Sequence, residues 1–309
     1  MAQASPALPA GISLTGSSAR RRRERLVRAV FLGSALTTVV ISAFIVYTVL
    51  AEAIDFLAQI ELSQLVGIGW FPRRGIFDIA TLLIGTLMVT VIAMAIATPI
   101  GLASAIYLAE YATPRVRRIV KPVIEVLAGI PSVVLGFFAL TVITPNLLQP
   151  LFEDTNPFNL AAAGIAVGIL SVPLVASVAE DAMRAVPMSL REASYGLGAK
   201  KITTSLRVVF PAAISGIVAA FILATSRTIG ETMVVAVAAG APQSRTVDPL
   251  DPGGTMTSAM VQLATGSDQI TGNSAAFQSL FFLGLLLFVI TLCLNIIGET
   301  FVRRARQRY

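Results

Sequence analysis

Residues 79–108 read IATLLIGTLMVTVIAMAIATPIGLASAIYL, a run of 30 residues without one charged side chain. A run of about 18 or more apolar residues is long enough to cross the hydrocarbon core of a bilayer as a helix. Of the 309 residues in the chain, 55% are hydrophobic and 13% are charged, about half the charged fraction of an ordinary soluble domain. The chain is therefore predicted to be an all-α, polytopic membrane protein.

Five further stretches are apolar enough to cross the membrane, which makes six predicted transmembrane helices. They cover residues 29–50, 123–144, 158–179, 212–240 and 274–298. Residues 1–28 precede the first span and are predicted to form a disordered, Arg-rich N-terminus. A cleaved signal peptide is the alternative for this region, but the apolar run of 22 residues exceeds the roughly 7–15 residues of a signal core.

The basic residues predict the orientation of the spans. Nineteen of the 23 Lys and Arg residues lie in the N-terminal segment, in two alternate loops or in the basic tail at 301–309, whereas the opposite loops hold only Arg73, Arg74 and Arg245. The positive-inside rule then assigns both termini to the cytoplasm. Because basic loops beside anionic headgroups account for the isoelectric point near 10, no nucleic-acid partner is expected.

The composition excludes several kinds of chemistry. The chain has no histidine, and its one cysteine, Cys293, lies inside an apolar run. Ser-His-Asp hydrolysis, a histidine-ligated metal and an internal disulfide are therefore ruled out. No phosphate-binding loop of the G-x-x-x-x-G-K-[ST] type is present, so no nucleotide hydrolysis of that kind is expected in this chain. We predict no catalytic residue and no metal ligand.

The loop at 187–211 carries the most specific local pattern. Ser189 and Glu192 have the spacing of a capping box, which predicts a short helix beginning at Leu190. Gly196 and Gly198 can adopt the left-handed backbone that ends a helix. A second short helix is predicted to follow them and to lead into the fifth span at 211. The pattern predicts a helix–turn–helix with a basic rim.

This loop resembles the EAA loop of ABC importer permeases, whose pattern is E-A-A-x3-G-x9-I-x-L-P. Glu192, Ala193, Gly198 and Pro211 match it in register, and Ser194, Val208 and Phe210 replace Ala, Ile and Leu conservatively. The resemblance implies a type I importer permease with a five-span core at 75–300 and an added N-terminal span. It also implies that the loop, with Lys200 and Lys201 on its rim, docks on a separate ATPase subunit. ATP and Mg would then be bound by that partner and not by this chain.

Four other stretches are similar to phosphate-specific importer permeases, in particular to the PstC-type subunit. They are residues 105–111, 127–132, 180–187 and 230–233. The resemblance implies a phosphate path shared with a different, PstA-type permease subunit, two ATPase subunits and an external phosphate-binding protein in a bacterial inner membrane. An importer of another oxyanion, sulfate or molybdate, is the close alternative. An ion-coupled secondary transporter is a further alternative, but no inverted repeat or carboxylate relay is visible.

Charged residues inside the fifth span predict the translocation path. Arg227 and Glu231 are four residues apart, so on a continuous helix they share one face, with Thr228 beside them. We expect Arg227 to contact phosphate and Glu231 to hold the guanidinium in place. A structural salt bridge between spans is the alternative. Ser132 follows Pro131, which removes a helix hydrogen bond, and is also predicted to line the path.

Overall fold

The computed structural model describes residues 18–241, 245–266 and 275–306. The helices of this part of the chain are α1 Ser18–Gln59, α2 Ile79–Ile106, α3 Pro114–Ala128, α4 Ser132–Phe138, α5 Gln149–Leu151, α6 Leu160–Arg184, α7 Met188–Gly196, α8 Lys201–Thr204, α9 Phe210–Ala212, α10 Ile214–Ile229, α11 Met233–Ala238, α12 Met256–Thr265 and α13 Ala275–Arg306. Wider, π-helical turns continue α2, α4 and α8 over Tyr107–Tyr111, Ala139–Leu148 and Ser205–Val209.

The protein is a membrane protein built almost entirely of helices, as predicted. Within the described residues, five helical segments are long and apolar enough to cross a membrane, and a bent pair brings the number to six if it counts as one span. The bent pair joins Lys201–Ala212 to Ile214–Ile229 at 70°. Antiparallel strands β1 Trp70–Phe71 and β2 Ile76–Phe77 add a small β-hairpin in which Trp70 lies opposite Phe77.

The chain divides into two compact units, residues 1–49 and 50–309. The described part of the first unit is one stretch of α1, and its described side chains are almost all exposed. Because α1 begins at Ser18, residues 18–28 are helical, whereas they were expected to be disordered; Arg and Leu are good helix formers. Residues 1–17 lie outside the described residues.

Helices α2 and α6 form the centre of the second unit. Their close approach depends on small residues, because a Cβ added at Gly168 of α6 would lie only 2.9 Å from the carbonyl oxygen of Ala93 in α2. Val89, Ala166 and Val234 belong to the apolar cluster that joins these two helices to α4 and α11. The resulting core is closely packed, and it carries the loops at both ends of the bundle.

A second apolar cluster closes the end of the bundle at which α2 begins. Phe56 near the end of α1 stacks edge-on against Phe77 of β2, with 4.9 Å between ring centroids. Met256 of α12 and Leu283 of α13 are fully buried in the same cluster. Asp78 caps α2 by accepting a hydrogen bond from the backbone N–H of Ala80.

The third span differs from the prediction of 123–144. Helix α3 ends at Ala128, and the membrane-spanning segment is Ser132–Leu151. Pro131 has no N–H to donate and also disfavours helical backbone at Ile130, so the helix breaks there. Helix α3, with its four basic residues, therefore becomes a separate amphipathic helix beside the bundle.

The fifth span and the tail also differ from their predicted limits. The stretch 212–240 is not one helix, because α10 ends at Ile229 and α11 begins only at Met233. Helix α13 continues through Arg306 and so includes most of the basic tail predicted at 301–309. Residues 307–309 lie outside the described residues.

Candidate functional site

The loop predicted to couple to an ATPase forms a helical hairpin, as expected. Its first arm is α7, and its second arm is α8 with the π-helical turn Ser205–Val209. Gly198 turns the chain between the arms with a φ of +79°, the left-handed conformation that the sequence pattern predicted. The hydroxyls of Ser194 and Thr204 lie 2.8 Å apart and join the two arms.

The start of the hairpin differs from the capping-box prediction. Helix α7 begins at Met188, with Pro187 as its N-cap and no side chain capping it. The extended backbone of Pro187, at a ψ of 140°, already sets the entry angle of the helix, so Ser189 lies within the first turn. Pro211 lies in the short helix α9, as expected for the first turn of a span, and Ala213 follows at the 70° bend.

The outer surface of the hairpin exposes several large apolar side chains. Leu197 is 90% exposed, and Met188, Leu190 and Tyr195 are also exposed. The predicted coupling residues Glu192, Ala193, Lys200 and Lys201 are exposed on the same two arms. An exposed apolar patch rimmed by charged residues is typical of a surface that another protein covers.

Arg191 anchors the hairpin from beneath, a role that the sequence analysis did not assign to it. It is the one buried residue of α7. Its guanidinium donates to the Glu110 carboxylate at 2.9 and 3.2 Å, to the carbonyl of Met183 at 2.8 Å and to that of Val186 at 2.6 Å. Glu110 is the first charged residue after a long uncharged run. Its position at the end of a predicted span is the sequence feature from which a structural role could have been predicted.

A second ion-pair cluster lies beside this anchor. Glu180 of α6 is fully buried, and its carboxylate pairs with Arg117 at 2.6 Å and with Lys121 at 3.2 Å. Partial burial lowers the pKa of Lys121, but its contacts with Asp181 and Glu180 outweigh this effect and hold the pKa above its usual value. The cluster fixes the inner face of α3 to α6.

The intramembrane pair Arg227 and Glu231 is not formed. Helix α10 ends at Ile229, so the two residues do not sit one turn apart on a continuous helix. No ion pair joins them within the described ranges. Arg227 instead projects from the exposed face of α10, beside Leu223, and the backbone carbonyl of Glu231 accepts a hydrogen bond from Thr257 at 2.8 Å.

The other two predicted path residues occupy different surroundings. Thr228 is buried inside the bundle, where its hydroxyl lies 3.2 Å from that of Ser171 in α6. It therefore faces away from the surface that carries Arg227. Ser132 is the first residue of α4 and is half-buried. The part of the chain that the structure describes holds no group of three or more carboxylate or cysteine side chains that could bind a metal ion.

Sequence comparison relates the chain to known transporters. Residues 97–307 match the family described as binding-protein-dependent transport system inner membrane component. A probable ABC transporter permease protein, YqgH of Bacillus subtilis, is 31% identical over 284 residues, which are 89% of this chain and 90% of that protein. The phosphate transport system permease protein PstC of Mesorhizobium japonicum is 28% identical over 328 residues, covering 100% of this chain and 99% of that protein.

Further similarities concern a second phosphate permease and two solved structures. The phosphate transport system permease protein PstA 1 of Mycobacterium tuberculosis is 37% identical over 182 residues, which are 58% of this chain and 57% of that protein. A bacterial ABC transporter for the import of alginate aligns with a TM-score of 0.61 at 14% identity, covering 92% of this chain and 99% of the solved chain. The MetNI methionine ABC transporter aligns with a TM-score of 0.57 at 18% identity, covering 74% and 95%. At these identities the structures show a common fold.

Proposed function

Since the chain belongs to the family of binding-protein-dependent transport system inner membrane components and is a permease subunit of an ABC importer, we propose that it imports phosphate. In this proposal it forms half of the translocation path, and a separate ATPase subunit docks on its hairpin. The path is completed by a second, PstA-type permease subunit. Two ATPase subunits hold ATP and Mg, and an external phosphate-binding protein delivers the solute.

The observation that carries the coupling role is the hairpin itself. Its outward surface is apolar and exposed, and its underside is anchored to the bundle by Arg191. Exposed Leu197 and Leu190 would be unfavourable in water, so a partner protein is expected to cover them. Because the hairpin has an exposed apolar surface and is hydrogen-bonded to the bundle beneath, a movement of the bound partner can be transmitted to the bundle.

The exposed guanidinium of Arg227 supports an anionic solute. Arg227 lies in the last turn of α10, and a charged side chain that faces lipid is unfavourable, so this face of α10 is expected to meet a second subunit and a water-filled path. A guanidinium presents two parallel donors to a phosphate and suits an oxyanion better than a neutral solute. Relatives named as phosphate transport permeases favour phosphate over sulfate or molybdate.

The function is tested by reconstitution of the complex. The chain is purified with the partners that co-purify with it and placed in liposomes with ATP and Mg on the ATPase side and the phosphate-binding protein on the other. ATP-dependent uptake of radiolabelled phosphate, unaffected by excess sulfate or molybdate, is the expected result. Uptake of sulfate or molybdate in place of phosphate would reassign the substrate, and uptake without an ATPase would contradict the importer mechanism.

The proposed orientation has both termini and the hairpin in the cytoplasm. It is tested in a Cys293→Ser background by single cysteines at the exposed positions Leu197 and Asp154. An impermeant reagent added to intact cells is expected to label Asp154→Cys but not Leu197→Cys. The reverse pattern would contradict the orientation and the docking of an ATPase with it.

A further inference from the structure

Both arms of the helical hairpin contact the same π-helical turn at the end of α2. From the first arm, the Arg191 guanidinium binds the carboxylate of Glu110. From the second arm, the Lys201 ammonium lies over the ring of Tyr111, 5.0 Å from its centroid. Glu110 and Tyr111 both belong to the turn Tyr107–Tyr111, so the hairpin holds a single element from two sides. Wider turns of this kind are frequent at functional sites in helices.

The Arg191 side chain is buried and donates several hydrogen bonds. Arg191 is 9% exposed, and the side chain of Glu110 is 4% exposed. The same guanidinium also holds the carbonyls of Met183 and Val186, at the end of α6 and in the connection to α7. A planar guanidinium can satisfy these separate acceptors at fixed angles, which a single ammonium does less well. The hairpin cannot shift relative to α2 and α6 without breaking several charge-assisted hydrogen bonds.

Helix α2 connects the contact between Arg191 and Glu110 with the opposite end of the bundle. Along its length it packs against α6, and near its start the hydroxyl of Thr86 accepts a hydrogen bond from the backbone N–H of Met256 in α12. At the start of α2, the N-cap residue Asp78 pairs with Arg245 of the connection before α12. A displacement of the turn Tyr107–Tyr111 therefore has a continuous, hydrogen-bonded route along α2 to the loops at the far end.

We propose that Arg191 is a positioning residue that makes the hairpin and α2 move as one body, so that closure of the ATPase is transmitted along α2. This inference rests on the proposed function, because it needs an ATPase docked on the hairpin. It assigns the transmission to the Arg191–Glu110 pair and not to the hairpin surface that touches the partner. Loss of the pair uncouples ATP hydrolysis from uptake without releasing the ATPase.

The test compares phosphate taken up per ATP hydrolysed in the reconstituted complex. The double variant Arg191→Met with Glu110→Gln removes both charges, so it leaves no unpaired buried ion and is expected to assemble. We expect it to retain the ATPase and its basal hydrolysis, while the ratio of uptake to hydrolysis falls about tenfold or more. Arg191→Lys keeps the charge and should lose part of this ratio. The matched control is Arg303→Met with Glu299→Gln, which removes an exposed ion pair from α13 and should leave the ratio unchanged.

The outcomes separate this inference from the proposed function. If the wild-type complex couples uptake to hydrolysis and both the double variant and Arg191→Lys keep the wild-type ratio, the pair is a structural bridge and the inference is overturned. A double variant that loses the ATPase altogether also overturns it, because Arg191 would then act in docking. A wild-type complex that binds no ATPase overturns the proposed function together with the inference.

Discussion

The carboxylate of Asp78 and the guanidinium of Arg245 form an ion pair at 2.8 Å, although the two residues are 167 positions apart. Asp78 is fully buried and also accepts hydrogen bonds from Thr81, Ala80 and Gly69. The pair attaches the connection before α12 to the N-cap of α2. Arg245 therefore has a structural role. From the sequence alone it was only one of three basic residues in the loops on its side of the membrane.

Removal of Arg245 should destabilise this end of the bundle. In Arg245→Met the buried carboxylate keeps its three other donors but loses its counter-charge, at an expected cost of roughly 1–3 kcal/mol. The measurement is the thermal unfolding temperature of the purified protein, with exposed Arg74→Met as a control that keeps this pair intact. Equal unfolding temperatures for the two variants would contradict a stabilising pair.

The same carboxylate predicts an acid limit to stability. Burial alone would raise the pKa of Asp78, but hydrogen bonds from Thr81, Arg245 and Gly69 outweigh it and hold the pKa below its usual value. A carboxyl with a lowered pKa stabilises the fold at every pH above its unfolded value near 4, and this contribution is lost as the pH falls through the lower folded value. We expect the difference in stability between wild type and Asp78→Asn to be constant from about pH 8 to 5 and to shrink only below about pH 4. A difference that disappeared between pH 7 and 5 would contradict this assignment.

The Glu180 cluster should respond asymmetrically to substitution. Glu180 is fully buried, whereas Arg117 and Lys121 are about a quarter exposed. If Glu180 is replaced by Gln, the two cations can still reach water, but the double change Arg117→Met with Lys121→Met leaves a buried carboxylate without any cation. We expect the double change to cost on the order of 3–5 kcal/mol and Glu180→Gln clearly less. Chemical or thermal unfolding measures both, and a larger loss for Glu180→Gln would refute the argument.

The hairpin turn should tolerate substitution at Gly196 but not at Gly198. A Cβ at either position meets no atom within 4 Å, so space does not distinguish them. Gly198 alone of the two has a positive φ, and a side chain there costs roughly 1–2 kcal/mol of backbone strain. Gly198→Leu is expected to reduce the amount of ATPase that co-purifies, and Gly196→Leu to preserve it. Equal retention of the ATPase by both variants would show that the turn conformation is not needed for docking.

Substitution of Arg227 tests the proposed contact with the solute. Because Arg227 has no ion pair with Glu231 or with another residue in the described ranges, Arg227→Ala leaves no orphaned partner among them and is expected to assemble normally. Phosphate uptake should be lost, and Arg227→Lys should restore only part of it, since an ammonium lacks the two-point contact. Thr228→Val is the matched control, because the Thr228 hydroxyl faces Ser171 inside the bundle. Wild-type uptake by Arg227→Ala would exclude a contact with phosphate.

Local sequence patterns determined the membrane fold, the hairpin and its turn. Uncharged runs predict spans because the thickness of the hydrocarbon core sets the length of an apolar helix that can cross it. A left-handed turn favours glycine at 198 because other residues are strained in that conformation. The same kind of local reasoning failed where it assumed continuous helices. Breaks at Pro131 and after Ile229 moved the third span and separated Arg227 from Glu231.

Contacts between distant segments were decided by the tertiary structure alone. Arg191 and Glu110 are 81 residues apart, and Asp78 and Arg245 are 167 apart, so no periodicity or motif spacing relates them. The Arg191–Glu110 pair exists because α2 and α6 pack closely, through glycines such as Gly168. The Asp78–Arg245 pair exists because the connection before α12 lies against α2, with Gly254 at Gly85 and Met256 at Thr86. Burial excludes water from the carboxylates of Asp78 and Glu110, so each of them depends on its arginine partner for a counter-charge.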